Sequence, residues 1–186
     1  THAGITVGPD GASHQAFEDI AIMRVIPNMK VIVPCDGPEA RDAVIAAFET
    51  KGPFYIRLGR AKVPTIEQKE PFQLGKGHVL KDGSDVTIVA CGIMVQEALK
   101  AQEELKKEKI SARVINMHTI KPLDESLLTD AARETRGLVV CEEHSVIGGL
   151  ASAIAEVLSE THPTKVITVG VKDRFGQSGD EKDLLR

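Results

Sequence analysis

The feature that most constrains this chain is a regular alternation of short apolar runs with amphipathic stretches, which begins at Asp85. The runs have the length and composition of buried strands, and the stretches between them have the period of helices. The predicted strands are residues 86–90, 112–116, 138–141 and 166–171, and the predicted helices are residues 95–107, 124–137 and 149–158. This alternation predicts parallel β-α-β crossovers, so we expect a three-layer α/β domain over residues 85–186.

The first third of the chain has the pattern of a smaller α/β unit. A glycine-rich loop comes first and is followed by a predicted helix, strand, helix and strand: residues 1–13, 14–25, 31–33, 36–51 and 54–58. Asp36 is the predicted N-cap of the second helix, with Glu39 three residues later in the spacing of a capping box. This part therefore ends in a β-α-β unit.

The two parts are joined by a stretch without a sustained period. Residues 59–84 contain several prolines and glycines, and we interpret residues 64–84 as a linker with a possible short strand at 78–80. The predicted domains are thus residues 1–63 and 85–186. Because about two strands cannot close a core, we expect residues 1–63 to be mobile or to pack against a neighbouring chain. Residues 85–186 should fold alone.

Composition excludes several classes of function. The chain has 186 residues, a net charge of -4 and a pI of about 5.9, so it has no basic surplus for nucleic acid or anionic membranes. It has neither a charged-then-apolar leader nor a run of about 18 apolar residues. Cys35, Cys91 and Cys141 are widely separated, which is typical of buried thiols in a reducing compartment and predicts a cytoplasmic protein.

The histidines outside the first loop carry no prediction of a metal site. Glu142, Glu143 and His144 are adjacent on a predicted strand end, where neighbouring side chains point apart. We interpret the others, His78, His118 and His162, as ordinary surface or capping residues.

Three polar residues of the first part are candidates for a ligand site. Asp10 and His14 flank the predicted junction of loop and helix, and Arg60 follows the strand predicted to end at Leu58. Ligands of α/β sheets bind beyond the carboxyl ends of the strands, and an arginine fork suits a phosphate. These residues therefore indicate a site for a polar, phosphorylated small molecule. The alternative is that Asp10 and His14 cap a turn and a helix, and that Arg60 is a surface arginine.

The opening segment resembles a motif of transketolases. It contains Thr1-His2-x-x-x-x-x-Gly8-x-Asp10-Gly11-x-x-His14-Gln15, with Ala12-Ser13 in place of the usual Pro-Thr. Later segments keep the family's order and spacing: Phe17-Glu18-Asp19, Arg24, Pro27-Asn28, Pro34-x-Asp36-Gly37, Leu58-Gly59-Arg60 and Asp173-Arg174-Phe175-Gly176-x-Ser178-Gly179. The resemblance spans essentially the whole chain. It implies the end of a pyrimidine-binding domain, which is part of a thiamine-diphosphate-binding α/β domain, followed by a C-terminal domain.

Other readings of the same residues remain open. Pyruvate-dehydrogenase-type β subunits share a His-Gln in this loop but lack the Asp-Gly before it. Deoxyxylulose-phosphate synthases share the Thr-His opening but lack the Asp-Gly-x-x-His-Gln. A free-standing interaction or regulatory domain is the non-enzyme alternative.

The resemblance implies specific roles. His14 matches the catalytic histidine that contacts the reacting oxygens of the donor sugar, and Asp10 matches an aspartate that hydrogen-bonds a donor hydroxyl. His2 and Arg60 match residues that bind the substrate phosphate. The implied reaction is the transfer of a two-carbon ketol unit between sugar phosphates.

The cofactor implied by the resemblance is thiamine diphosphate with Mg²⁺ or Ca²⁺. In this family it is bound mainly by regions upstream of the first motif, so we assign no cofactor-binding residue and no metal ligand in this chain. The chain opens on Thr1-His2-Ala3-Gly4 without a methionine. We therefore expect a segment of a longer enzyme, inactive alone, which requires an N-terminal part or a separate N-terminal subunit. The complete enzyme is expected to be a homodimer.

Overall fold

The computed structural model describes residues 2–68 and 70–185; Thr1, the first residue of the opening motif, lies outside them. A 3₁₀ helix covers Ile5–Asp10. The α-helices are α1 (Asp19–Val25), α2 (Gly37–Glu49), α3 (Met94–Lys107), α4 (Glu125–Glu134), α5 (Leu150–Thr161) and α6 (Glu181–Leu184). The strands are β1 (Lys30–Ile32), β2 (Phe54–Ile56), β3 (His78–Lys81), β4 (Val86–Ala90), β5 (Ala112–Asn116), β6 (Thr119–Lys121), β7 (Leu138–Ser145) and β8 (Val166–Val171).

The second part contains the predicted three-layer α/β arrangement. Its five-stranded sheet has the order β3-β5-β4-β7-β8, in which β4, β5, β7 and β8 run parallel and β3 is antiparallel to β5. Alternate residues of β4 face opposite layers. Ile88 packs in a cluster with Val95 of α3, whereas Val89 packs in a second cluster with Leu128 of α4 and Ile154 of α5. Burial of both faces explains the apolar strands.

A second, three-stranded sheet joins the two parts of the chain. Its order is β2-β1-β6, with β1 parallel to β2 and antiparallel to β6. Val31 pairs with Lys121, and Ile20 and Val31 belong to the same core cluster as Leu128. Part of the apolar surface of residues 1–63, including Ile20 and Val31, is therefore buried against the second part of the same chain, whereas Val25 and Phe48 stay exposed. That residues 1–63 also pack against a neighbouring chain stays a prediction.

The caps of two helices agree with the sequence. Asp36 Oδ1 accepts a hydrogen bond from Glu39 N (2.9 Å), and Asp124 Oδ1 accepts one from Leu127 N (3.2 Å). The start of α1 was predicted wrongly: it lies at Asp19 instead of His14, because Ala16 has a φ of 45°, which interrupts the right-handed helix. His14 therefore lies in a turn and not at a helix N-terminus.

Three further features differ from prediction. The loop over residues 1–13 contains the 3₁₀ helix, α4 ends at Glu134, and the short strand β6 follows β5 after only two residues. Within residues 2–68 and 70–185, none of the helices has the length and apolar character that a bilayer crossing requires.

Candidate functional site

Asp10 and Arg60 form an ion pair on the surface of the first part. Arg60 Nη1 lies 2.6 Å from Asp10 Oδ2, and the two side chains are 46% and 37% exposed. Arg60 follows β2, and Asp10 ends the 3₁₀ helix. A guanidinium has five N–H donors, so this single bond leaves most of them available to a ligand. The structure thus brings together two of the residues selected from the sequence.

The two histidines of the opening motif lie close to this pair along the chain. Ala3 N donates to Leu58 O (3.3 Å), which places His2 beside the segment that leads to Arg60. His14 N donates to Gly11 O (3.0 Å), and the His14 ring contacts Ser13 Oγ through Nδ1 (2.8 Å). Both histidines are exposed. In the described residues the side-chain hydrogen bond of His14 is to Ser13, so the ring is not held against Asp10 or Arg60.

Hydrogen bonds to residues far along the chain hold the loop with Asp10 and His14 in place. Gln15 is fully buried and donates through Nε2 to Gln177 O (3.0 Å). Ser178 Oγ donates to Pro9 O (2.5 Å), and Glu143 accepts a hydrogen bond from Thr6 N. The Asp-Arg-Phe-Gly-x-Ser-Gly segment near the C-terminus therefore positions the loop that carries the candidate residues.

Arg57 is a structural residue that the sequence analysis missed. Its Nε donates to Asp19 Oδ2 (2.8 Å), and its Nη2 donates to Glu143 O (2.9 Å) and Ala16 O (3.2 Å). Tyr55 O–H also donates to Asp19 Oδ2 (2.6 Å). Burial opposes the charge of Arg57, but Asp19 raises the pKa of Arg57 overall. The sequence did contain an indication that Tyr55 and Arg57 act together. They are two residues apart in an extended segment, so both side chains point to the same face.

The Glu142-Glu143-His144 segment also has a packing role in the structure. Glu142 accepts hydrogen bonds from Leu150 N (2.7 Å) and Ala151 N (2.9 Å) at the start of α5. His144 Nε2 accepts one from Ala21 N (3.4 Å). Burial raises the pKa of both glutamates and lowers the pKa of His144.

His78 and His118 correct a prediction, because neither is a surface residue. They are 6% and 0% exposed, and together with buried Glu39 they form a cluster that could hold a metal ion. Burial, and next the neighbouring His78, lowers the pKa of His118 to about 3. The prediction failed because burial here depends on the packing of β3 and of the turn after β5 against α2. His162 lies at the C-cap of α5, as expected of a capping residue.

Comparison with known proteins identifies the family. Residues 1–65 match the model of the transketolase pyrimidine-binding domain, and residues 75–186 match that of the transketolase C-terminal domain. The chain belongs to the transketolase family. The second match alone covers more than half of the chain.

Relatives within the transketolase family cover this chain almost completely. A putative transketolase C-terminal section of Methanocaldococcus jannaschii is 47% identical across the whole chain and 59% of its own length. A 6-deoxy-6-sulfo-D-fructose transketolase subunit of a Clostridium species is 46% identical over 95% of the chain and 55% of its own length. The chain thus spans little more than half of these curated relatives.

A solved transketolase structure has the same fold. It is a split-gene transketolase described as an inactive β4 tetramer, and it superposes with a TM-score of 0.91 at 54% identity. The match covers 99% of this chain and 59% of that one.

The transketolase cofactor is thiamine diphosphate, and the candidate residues do not form a site for it by themselves. His2, Asp10, His14 and Arg60 are all exposed. Pockets bury most of the surface of a molecule of this size, often 70–90%.

Proposed function

We propose that this chain supplies the C-terminal part of a thiamine-diphosphate-dependent transketolase, which transfers a two-carbon ketol unit from a ketose phosphate to an aldose phosphate. The observation that carries the proposal is the exposed Asp10–Arg60 pair beside the loop with His2 and His14. Membership of the transketolase family supports it. Thiamine diphosphate supplies the carbanion chemistry when bound.

The residues of this chain have separate proposed roles. Arg60 and His2 bind the substrate phosphate, because the free guanidinium donors suit phosphate oxygens. Asp10 accepts a hydrogen bond from a donor hydroxyl and holds Arg60 in place. His14 is the proposed catalytic residue and holds or moves a proton at the reacting oxygens. Among the described residues its exposed ring makes a hydrogen bond with Ser13, and in this proposal it turns toward the substrate.

In this proposal the cofactor site lies in the N-terminal part of the enzyme. That part is either an upstream segment of the same chain or a separate subunit. That part holds thiamine diphosphate with Mg²⁺ or Ca²⁺. The names of the relatives, a C-terminal section and a subunit, support a partner of this kind. We propose that the complete enzyme is a homodimer of the pentose phosphate pathway in the cytoplasm, consistent with three buried free cysteines.

Reconstitution tests whether this chain needs the N-terminal part to bind the cofactor and to catalyse the reaction. The chain alone is expected neither to bind thiamine diphosphate with micromolar affinity nor to catalyse ketol transfer, whereas the chain with its N-terminal part does both. Calorimetry and a coupled assay measure this. Activity with pyruvate and glyceraldehyde phosphate, but not with two sugars, would indicate a deoxyxylulose-phosphate synthase instead.

Replacement of Arg60 tests the phosphate assignment in the complete enzyme. Arg60→Ala should reduce kcat/KM for a ketose phosphate by one to two decades, since a charge-assisted contact contributes about 1.5–3 kcal/mol. The same ketose without phosphate should be affected much less. Arg41→Ala, which removes an exposed arginine from α2, is the control. Equal losses with both donors would contradict the assignment.

A further inference from the structure

Three buried residues from distant parts of the chain converge between the two parts of the molecule. Glu39 lies in the first turn of α2, His78 opens β3, and His118 lies in the turn between β5 and β6. They are 3%, 6% and 0% exposed. One ligand atom of each, a carboxylate oxygen or an imidazole nitrogen, lies within 4.8 Å of the others.

Neighbouring oxygens hold the Nδ1 side of both histidines. His78 Nδ1 contacts Gln68 Oε1, and an amide oxygen only accepts, so this nitrogen is the donor. His118 Nδ1 lies 3.0 Å from Thr119 Oγ1. Metal-binding histidines are oriented in this manner, with one nitrogen bound to an oxygen and the other directed at the metal.

The Nε2 atom of His118 has no partner among the described residues. It is fully buried, and no hydrogen bond from residues 2–68 or 70–185 reaches it. A buried polar atom without a partner costs roughly 1–3 kcal/mol, so such an atom normally has a water molecule or an ion beside it. The Phe72 ring lies 4.4 Å from the His118 ring and covers the cluster on one side.

Glu39 is a buried carboxylate without a cationic partner in the described part of the chain. Its oxygens accept hydrogen bonds from Cys35 N (2.7 Å), Asn116 Nδ2 (2.8 Å) and Gln68 Nε2 (3.1 Å). These bonds fix the carboxylate, but they do not neutralise its charge. Buried charges are normally paired or bind metals.

We propose that Glu39, His78 and His118 bind one divalent transition-metal ion of the Zn²⁺ type. Two imidazoles and a carboxylate are a ligand set that suits Zn²⁺, whose bonds to N and O are about 2.0–2.2 Å long. Tetrahedral bonds of that length bring ligand atoms to about 3.3 Å from each other, which small side-chain rotations achieve from the present arrangement. The ion joins α2 in the first part to β3 and the β5–β6 turn in the second. It is separate from the Mg²⁺ or Ca²⁺ proposed to accompany the cofactor.

Titration of the whole chain with Zn²⁺ tests the proposal. After treatment with a chelator, the chain should bind one Zn²⁺ and gain thermal stability that increases with the logarithm of the free Zn²⁺ concentration above the Kd. Glu39→Gln and His78→Ala should each weaken binding by about 100-fold or more, since even outer partners of metal ligands contribute 10–100-fold. Gln68→Ala, which removes the acceptor that orients His78, should weaken binding by about 10–100-fold. His162→Ala removes a histidine elsewhere and should leave binding unchanged.

X-ray absorption at the zinc edge avoids the risk that a core variant fails to fold. On the unaltered chain it should detect two imidazole nitrogens at about 2.0–2.1 Å. The absence of stoichiometric uptake would overturn the proposal and leave a polar cluster around a buried water. Uptake with no imidazole at the metal would overturn it as well. So would a Zn²⁺ affinity of Glu39→Gln and His78→Ala equal to that of the unaltered chain.

Discussion

Two arginines, three residues apart after the same strand, occupy opposite environments. Arg57 is 4% exposed and makes hydrogen bonds to Asp19 and to two backbone carbonyls, including Glu143 O. Arg60 is 46% exposed and bonds to Asp10, a carboxylate that is itself exposed. The buried region around Arg57 joins the two parts of the chain, and the exposed region around Arg60 faces solvent.

This contrast distinguishes a charged side chain that stabilises the fold from one that is available to bind a ligand. Every acceptor of Arg57 is fixed by the fold, so its donors cannot be redirected to a ligand without loss of stability. Among the described residues Arg60 has one exposed partner, and its other donors make no hydrogen bond there, so a phosphate can bind without disturbing the core. Both residues are arginines with the same charge, so the sequence does not distinguish them. Their different burial determines their roles.

The largest expected effect is the loss of Arg57. Arg57→Ala leaves Asp19 buried without its cation, which should lower the free energy of unfolding by about 3–5 kcal/mol. Arg60→Ala removes an exposed pair, which contributes about 0–1 kcal/mol. Urea denaturation of the two variants measures the difference. Similar losses in both would abolish the distinction between the two regions.

A smaller loss of stability is expected from a change beside Gln15, a buried residue that holds the exposed loop in place. A Cβ at Gly176 would collide with Gln15 Oε1, so Gly176→Ala should displace this buried side chain at a cost of about 1–3 kcal/mol. The rate of amide hydrogen exchange should rise over residues 8–16, because hydrogen bonds of Gln15 and Ser178 hold this segment in place. Gly37→Ala is the control, because no atom lies within 4 Å of a Cβ added there. Unchanged exchange in Gly176→Ala would mean that the loop is held independently.

The smallest expected effect is a pH dependence from His144. Burial lowers the pKa of His144 in the folded chain, so the unfolded chain takes up the proton first as pH falls below about 6.5. This contribution to stability is present above that pH and is lost below it, by at most about 1.4 kcal/mol per pH unit. Asp19, Glu142 and Arg57 are the charged groups that face the ring.

The comparison of the unaltered chain with His144→Gln isolates this contribution. The loss of stability between pH 7 and pH 5 should be smaller in the variant than in the unaltered chain. His14→Gln, which removes a histidine from the exposed region, is the control. An identical loss in His144→Gln and the unaltered chain would contradict the prediction.

Periodicity was sufficient to predict the strands β4, β5, β7 and β8 and the helices α3, α4 and α5 of the second part, because burial leaves a strong apolar pattern. Local side-chain chemistry was sufficient for the caps at Asp36 and Asp124. The start of α1 was not predictable, since a single positive φ at Ala16 moved it to Asp19. The strand β6 has only three residues, Thr119–Lys121, which is too short to show a period in the sequence.

The candidate site was only partly predictable. The proximity of Asp10 and Arg60 agrees with the idea that polar residues collect beyond strand ends, but their roles toward a substrate stay predictions. The cluster of Glu39, His78 and His118 has no sequence signal, because its members lie far apart and meet through tertiary packing. Arg57 had a signal in the spacing from Tyr55, although burial of an arginine is rare enough to be overlooked.

The pairing of β1 with β6 has a consequence for synthesis on the ribosome. Val31 is made early, whereas its antiparallel partner Lys121 is made much later, after β3, β4 and β5 but before β7 and β8. Until then the apolar face of Ile20 and Val31 has no cover within the nascent chain, because long-range pairing must wait for its distant partner. The first part of this chain therefore cannot complete its fold until β6 has been made, although it leaves the ribosome first.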